Sequence, residues 1–363
     1  MTEHHPLPPG TRIGILGGGQ LGRMLSLAAS RLGMKTHIFC PDEASPAFEV
    51  TPHRTMAGYD DVAALRAFAG AVDVVTYEFE NVPLATARVI ADHVPLHPGA
   101  TALEISQDRL AEKSFLSRIG IAVAPYRAVT ARADLDAAIT EIGLPAVLKT
   151  TRLGYDGKGQ RTIRTQEDAD AAFAALSGVD LVLEGFIGFE REVSVIVVRG
   201  ADGAIVTYDP AENVHRDHIL KTSTLPAAIS PAAVAKALAI AGTIAAELGY
   251  VGTMGVEFFL VSDGECPEIL VNEIAPRVHN SGHWTEAVCI TDQFENHIRA
   301  VCGWPLGDTT RLADVVMENL IGDEINAAAR RCGPGIQPHI YGKTEARAGR
   351  KMGHLNIVKL PGA

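Results

Sequence analysis

Glu268-Ile269-Leu270-Val271-Asn272-Glu273-Ile274-Ala275-Pro276-Arg277-Val278-His279-Asn280-Ser281-Gly282 runs from a strand-like start into a turn crowded with a carboxylate, a guanidinium, an imidazole and amides. Upstream, Gly255-Val256-Glu257-Phe258-Phe259-Leu260 is a second apolar strand carrying another carboxylate. Ser262-Asp263-Gly264-Glu265 between them reads as a hairpin connection. Two adjacent strands can then aim Glu257 and Glu273 at one point. Carboxylates held together repel unless a cation separates them, and hard divalent cations take oxygen ligands. These residues therefore predict a Mg²⁺ site facing nucleotide phosphates. Two solvated strand carboxylates are the plain alternative.

Outward from this hairpin, strands and helices alternate. Arg12–Leu16, Lys35–Cys40 and Val72–Tyr77 are strand patterns, with helical spacing over Gln20–Leu32, Asp61–Ala69 and Leu84–His93. Such alternation predicts a parallel sheet flanked by helices, and this first unit is expected to end near Leu103. Gln107–Arg118 reads as an amphipathic helix, and Ala146–Lys149, Leu181–Glu184 and Glu192–Val198 as strands. Towards the end, Ile336–Tyr341 and Ile357–Lys359 are strand candidates around a basic loop.

A chain of 363 residues with 47% hydrophobic content suits two or three domains and a large core. Its net charge of −11 argues against a nucleic-acid surface, so an anionic substrate needs a local basic pocket. Five scattered cysteines without a C-x-x-C fit a reducing cytoplasm and give no zinc site or disulfide framework. Met1–Gly10 has no apolar run of the signal-peptide kind. Ala232–Leu248 carries Lys236 and Glu247 and reads as a core helix, not a membrane span. The expectation is a cytoplasmic protein with no nucleic-acid or membrane partner.

Several further motifs carry chemistry. Gly17-Gly18-Gly19-Gln20-Leu21-Gly22 matches G-x-G-x-x-G between a strand and a helix, with Asp42 roughly where a dinucleotide fold places its ribose acid. Alone this suggests an NAD enzyme, but N–H groups at a helix N-terminus accept any phosphate. Lys149 closes an apolar strand and needs an anionic partner. Gly154-Tyr155-Asp156-Gly157-Lys158-Gly159-Gln160 is no P-loop, yet its glycines and lysine can fold over a triphosphate. A polar hairpin loop is the plainer reading. Glu184-Gly185-Phe186-Ile187 offers an acceptor beside apolar walls, as adenine requires, and Glu192 could accept from ribose hydroxyls. Singly, each is also an ordinary surface glutamate. Lys343, Arg347, Arg350, Lys351 and His354, opposed only by Glu345, suit a phosphate clamp or a solvated face. His279-x-x-x-His283 would hold zinc only on a helix, which Pro276 and Gly282 oppose.

Gly17–Met24 (GGGQLGRM), Tyr77–Asn81 (YEFEN), Gln107–Lys113 (QDRLAEK), Gly154–Gln160 (GYDGKGQ), Asn272–Trp284 (NEIAPRVHNSGHW) and Tyr341–His354, in this order, span nearly the whole chain. Together they resemble the ATP-grasp enzymes of purine synthesis, and among them the N5-carboxyaminoimidazole ribonucleotide synthetases. The resemblance implies an α/β and α+β protein. It would have a Rossmann-like preATP-grasp domain (1–103), an ATP-grasp domain (104–306, with a mobile lid at about 120–186) and a small β-rich C-terminal domain (307–363). It implies carboxylation of 5-aminoimidazole ribonucleotide by bicarbonate and ATP, through carboxyphosphate, with Mg²⁺ or Mn²⁺, in a cytoplasmic homodimer.

Carried onto this chain, the ATP site would use Arg109, Lys149, Gly154, Tyr155, Asp156, Gly157, Lys158, Gly159, Gln160, Glu184, Gly185, Phe186, Ile187, Glu192, His215, Asn272 and Glu273. Glu257 and Glu273 would hold the metal. The ribonucleotide would meet Gln20, Leu21, Glu78 or Glu80, Asn280, Lys343, Arg350 and Lys351. Tyr155, Asp156, Arg277, His279 and Asn280 would serve the bicarbonate and the amine. Rival readings are a formate-dependent glycinamide ribonucleotide transformylase, an NAD-dependent oxidoreductase, and a nucleotide-binding regulator without catalysis.

Overall fold

The computed structural model describes residues 5–154, 159–176 and 178–359. The first unit is a parallel four-stranded sheet of β1 (Arg12–Leu16), β2 (Lys35–Phe39), β3 (His53–Thr55) and β4 (Val74–Tyr77), in the order β3-β2-β1-β4. Helices α1 (Gln20–Arg31), α2 (Val62–Ala69) and α3 (Leu84–Ala91) flank it. Ile13, Ile15 and Leu16 are fully buried, which is why β1 reads as an unbroken apolar run. α1 buries Leu21, Met24, Leu25 and Ala28, one face of a 3.6-residue period. Asp61 caps α2 by accepting from the Ala64 N–H.

A short helix, α4 (Ala100–Ser106), precedes α5 (Arg109–Arg118). The Asp108 carboxylate starts α5 by accepting from the N–H groups of Leu110 and Ala111. Next comes an antiparallel sheet, ordered β5-β8-β6-β7, from β5 (Tyr126–Val129), β6 (Ala146–Thr150), β7 (Gln160–Ile163) and β8 (Leu181–Gly185). With α6 (Arg132–Ile142) and α7 (Gln166–Leu176) it closes a separate core around Leu135, Leu148 and Leu183.

The large sheet contains β9 (Arg191–Arg199), β10 (Ile205–Thr207), β11 (Ala211–Arg216), β12 (Ile219–Leu225), β13 (Gly252–Ser262), β14 (Glu268–Ala275), β15 (Asp314–Ile321), β16 (Ile336–Ile340) and β17 (Lys351–Lys359). Its order is β14-β13-β9-β11-β12-β15-β17-β16, with β10 attached to β9. α8 (Pro231–Glu247) packs Ala233, Ala237 and Ala241 into a core with Val195, Val197 and Val256. After α9 (Thr285–Val288), α10 (Gln293–Val301) joins Phe294, Ile298 and Val301 to Leu21, Met24 and Leu25 of α1. That shared core fixes the first unit against the large sheet.

Two expectations needed correction. β14 runs on to Ala275, so Glu273 lies in a strand and not in a turn. β17 begins at Lys351 instead of Ile357, because buried His354 and Asn356 interrupt its apolar pattern. β15 pairs antiparallel with β12, so the C-terminal strands continue the large sheet.

Candidate active site

A cleft of about 450 Å³ is walled by both the small antiparallel sheet and the large sheet. Its deep side carries the carboxylates. Glu257 and Glu273 are direct cross-strand partners in the β13–β14 ladder. The next pair is Phe258 with Val271, which leaves Asn272 as the extra residue of a bulge. Bulges re-aim side chains, and Asn272 and Glu273 both line the cleft. Burial and the Glu273 charge push the Glu257 carboxyl up to about 7. An oxygen-only donor set with two carboxylates resisting joint ionisation fits a hard divalent cation.

A third carboxylate stands beside them. Glu112 on α5 is buried and accepts from the Ile274 N–H at 3.0 Å. Burial pushes it up to about 8 against the pull of Lys113, and the Glu273 charge adds to the rise. The sequence reading missed Glu112 and Lys113. Their signal was two charges on the same buried helix face as Phe115 and Leu116.

Cations gather opposite. Lys149 Nζ lies 2.9 Å from Glu184 Oε2, and buried Lys113 Nζ lies 3.3 Å from that same oxygen. Burial lowers the Lys149 pKa, with Glu184 opposing. Arg109 Nη2 donates to the Gly154 carbonyl at 2.7 Å, at the start of the glycine-rich loop. Tyr155, Asp156, Gly157 and Lys158 lie outside the described residues. Gly159 has φ +70°, and its carbonyl accepts from the Thr150 N–H at 2.9 Å. Gln160, Gly185, Phe186 and Ile187 line the cleft. Glu192 Oε2 meets His215 Nδ1 at 2.6 Å. Burial pulls the His215 pKa down, but the Glu192 hydrogen bond and the Glu257 charge raise it overall.

At the other end, Arg277 Nε donates to Glu80. Burial works against the Glu80 charge, and Arg277 overcomes it to hold the carboxyl below its usual range. His279 is kept neutral by burial and by Arg277. Its Nδ1 meets Ser281 Oγ at 2.8 Å, and Nε2 sits 3.6 Å from Glu257 Oε1. That last contact therefore involves a neutral imidazole and is no ion pair. Asn280 exchanges two amide hydrogen bonds with Asn319, at 3.0 and 2.8 Å. Asn319 was not foreseen, as nothing local marks it.

The glycine motif is used differently from a dinucleotide site. Glu78 is buried and accepts from the N–H groups of Gly19 and Gly22, the latter at 2.7 Å. The chain's own carboxylate thus fills the anion site at the α1 N-terminus. Asp42 accepts from the Ala44 N–H. The NAD reading is corrected on this ground. MgATP is expected to raise the melting temperature by several degrees, and NAD at equal concentration to leave it unchanged. A thermal-shift titration checks both.

Gln20 is half-buried, and Leu21 packs its side chain into the core, leaving only its backbone for a ligand. Lys343 Nζ donates to the Lys351 carbonyl at 2.7 Å. Burial lowers its pKa to about 8, Arg350 adds to the shift and Glu78 opposes it. Arg350 donates to the Glu345 carbonyl, and Arg347 pairs with Glu345 in solvent. Lys351 lines the cleft. His354 is fully buried and bonds Tyr341, so it is not part of a phosphate-facing surface.

A small antiparallel sheet and a large sheet that meet over lysines and paired carboxylates define an ATP-grasp protein. The ATP-grasp domain family matches residues 114–294, the ribonucleotide synthetase preATP-grasp domain 11–107, and the phosphoribosylaminoimidazole carboxylase C-terminal domain 315–360. The N5-carboxyaminoimidazole ribonucleotide synthase of Brucella melitensis is 52% identical over 97% of this chain and 98% of its own length. That of Bacillus subtilis is 44% identical over 97% and 93%. The chain belongs to the N5-carboxyaminoimidazole ribonucleotide synthase family. A crystal structure of an N5-carboxyaminoimidazole ribonucleotide synthetase with ADP superposes at TM-score 0.94, 44% identity, covering 99% of this chain and 94% of that one. The Aspergillus clavatus enzyme in complex with ADP and 5-aminoimidazole ribonucleotide superposes at 0.89, 32% identity, covering 97% and 94%.

Proposed function

We propose that this protein carboxylates 5-aminoimidazole ribonucleotide with bicarbonate, driven by cleavage of ATP to ADP and phosphate. The product is N5-carboxyaminoimidazole ribonucleotide. One observation carries the reading: a single cleft is lined by Lys149, Glu257 and Glu273 together with Arg277, Asn280 and Lys351. Nucleotide and substrate would then share one enclosure. The Aspergillus clavatus relative that holds ADP together with 5-aminoimidazole ribonucleotide supports it.

ATP would lie between Glu184–Ile187 with Glu192 and His215 on one side and Arg109 and Lys149 at its phosphates, under residues 154–160. Glu257 and Glu273, with Asn272 adjacent, would hold Mg²⁺, and Mn²⁺ suits the same oxygen donors. When bound, the cation neutralises phosphate charge. Lys149 offsets charge on the transferring phosphoryl group as a bicarbonate oxygen attacks the γ-phosphorus and ADP departs. The resulting carboxyphosphate is a mixed anhydride with phosphate as leaving group. Arg277, His279 and Asn280, with Tyr155 and Asp156, would hold bicarbonate and the attacking amine. Gln20, the Leu21 backbone, Lys343, Arg350 and Lys351 would hold the ribonucleotide. Glu78 and Glu80 are both engaged, so we assign each a positioning role: Glu78 fixes the start of α1, and Glu80 fixes Arg277.

A cytoplasmic homodimer divided at about 103 and 306 belongs to the same proposal. Among the described residues no helix is long and apolar enough to cross a membrane. A coupled ADP-release assay with substrates omitted in turn tests the function. ADP release is expected only with both bicarbonate and the aminoimidazole ribonucleotide present. ATP turnover indifferent to both would overturn the assignment, and formate replacing bicarbonate would point to a transformylase.

A further inference from the structure

Three polar side chains from three elements converge outside the lining of the cleft, one of them fully buried and two partly exposed. His339 of β16 and His354 of β17 are direct cross-strand partners. Their rings stack 4.5 Å apart at an interplanar angle of 6°. Glu286 reaches them from α9, and one ligand-type atom from each residue falls within 4.8 Å of the others. The hydrogen-bond inventory around them is incomplete. His354 is fully buried, its Nδ1 meets the Tyr341 hydroxyl at 2.9 Å, and its Nε2 has no hydrogen-bond partner. Glu286 Oε2 is buried without a hydrogen bond as well, and it lies 3.5 Å from His339 Nδ1. Buried polar atoms are rarely left like this, and each such atom calls for a specific cause.

We infer that Glu286, His339 and His354 form a binding site for one divalent transition metal of the zinc type. Two imidazoles and one carboxylate make a zinc donor set, whereas Mg²⁺ prefers oxygen alone. The Tyr341 hydroxyl on Nδ1 is the kind of outer hydrogen bond that fixes the ring of a metal-binding histidine through its other nitrogen. Four-coordinate zinc with bonds of about 2.1 Å separates its ligand atoms by roughly 3.4 Å. Binding therefore draws the ligand atoms together by up to about 1.4 Å and turns one ring out of the stack. His339 can make that move, because its side chain is 26% exposed on the edge strand β16. β16 and β17 flank the segment bearing Lys343 and Arg350. A metal here would pin the base of that segment to α9, independently of what the segment binds.

The test uses the full chain, stripped with a chelator and then titrated with Co²⁺ in the presence of saturating MgATP, which keeps the oxygen-rich site filled. The expected result is one equivalent of Co²⁺ with the intense visible absorption of a four-coordinate ion, displaced by one equivalent of Zn²⁺. Glu286→Gln and His339→Ala should each weaken Zn²⁺ binding at least tenfold while melting near the parent temperature without metal. Only weak six-coordinate absorption would overturn the site. So would Zn²⁺ affinity unchanged in both variants, or a crystal soaked in Zn²⁺ without anomalous density between these side chains, which would leave a bridging water as the filler.

Discussion

Arg277→Ala is expected to lower kcat by about a thousandfold, on the scale seen when a charge-stabilising donor is removed from an active site. The KM for ATP should move less than about threefold, because the nucleotide contacts assigned above lie on α5, β6, β8, β9 and β11 and in residues 154–160, and not on the segment that carries Arg277. Arg277 lies near Glu273 and Glu78 as well as Glu80, whose charges all support it. It would therefore stand where the proposed nucleotide and substrate groups meet. Its removal also takes the Arg277 hydrogen bond and charge from the Glu80 carboxylate, which burial already disfavours. Breaking a buried pair on one side costs stability, so lost folding must be separated from lost chemistry. The double variant Glu80→Gln/Arg277→Ala does this. It should recover the melting temperature and leave turnover as low as in the single variant. Recovered turnover would mean that Arg277 serves only to neutralise Glu80. A rise in ATP KM with kcat intact would move Arg277 to the nucleotide site.

Local periodicity made most of the scaffold legible. β1 and α1 could be read because burial on both faces gives an apolar run and one-sided burial gives a 3.6-residue stripe. β3, a short strand of His53, Arg54 and Thr55 at the sheet edge, has neither pattern. The facing of Glu257 and Glu273 followed from a recognisable hairpin. The bulge that brings Asn272 to the same side did not, because register shifts depend on strand partners and not on composition. Long-range pairings were invisible for the same reason. Glu78 meets Gly19 across 59 residues, and Asn280 meets Asn319 across 39. The glycine motif was read correctly as an anion site at a helix start, yet only the fold reveals that the anion is the chain's own carboxylate. Lys113 and Asn319 hold Glu184 and Asn280 from behind, and such supporting residues carry no local signature.

Glu273→Gln should change activity and stability in opposite directions. The substitution keeps size and removes one of two carboxylates that face each other across β13 and β14. With metal, the half-saturating Mg²⁺ concentration should rise at least tenfold and kcat should fall about a hundredfold. Without metal, the variant should be the more stable protein above neutral pH. Glu257 has its folded pKa raised from 4.5 to about 7, by burial and by the Glu273 charge. A carboxyl raised in this way contributes stability that is complete below its unfolded pKa and is lost as pH climbs through the folded one. At pH 5 Glu257 is protonated, repulsion is absent, and parent and variant should melt together. At pH 8 the Glu257 of the parent has lost its proton against the Glu273 charge, and the variant should melt about 2 °C higher. Melts at the two pH values in chelator, with a Mg²⁺ titration of turnover, provide the measurement. An equal offset at both pH values would remove the repulsion, and an unchanged Mg²⁺ requirement would remove Glu273 from the metal.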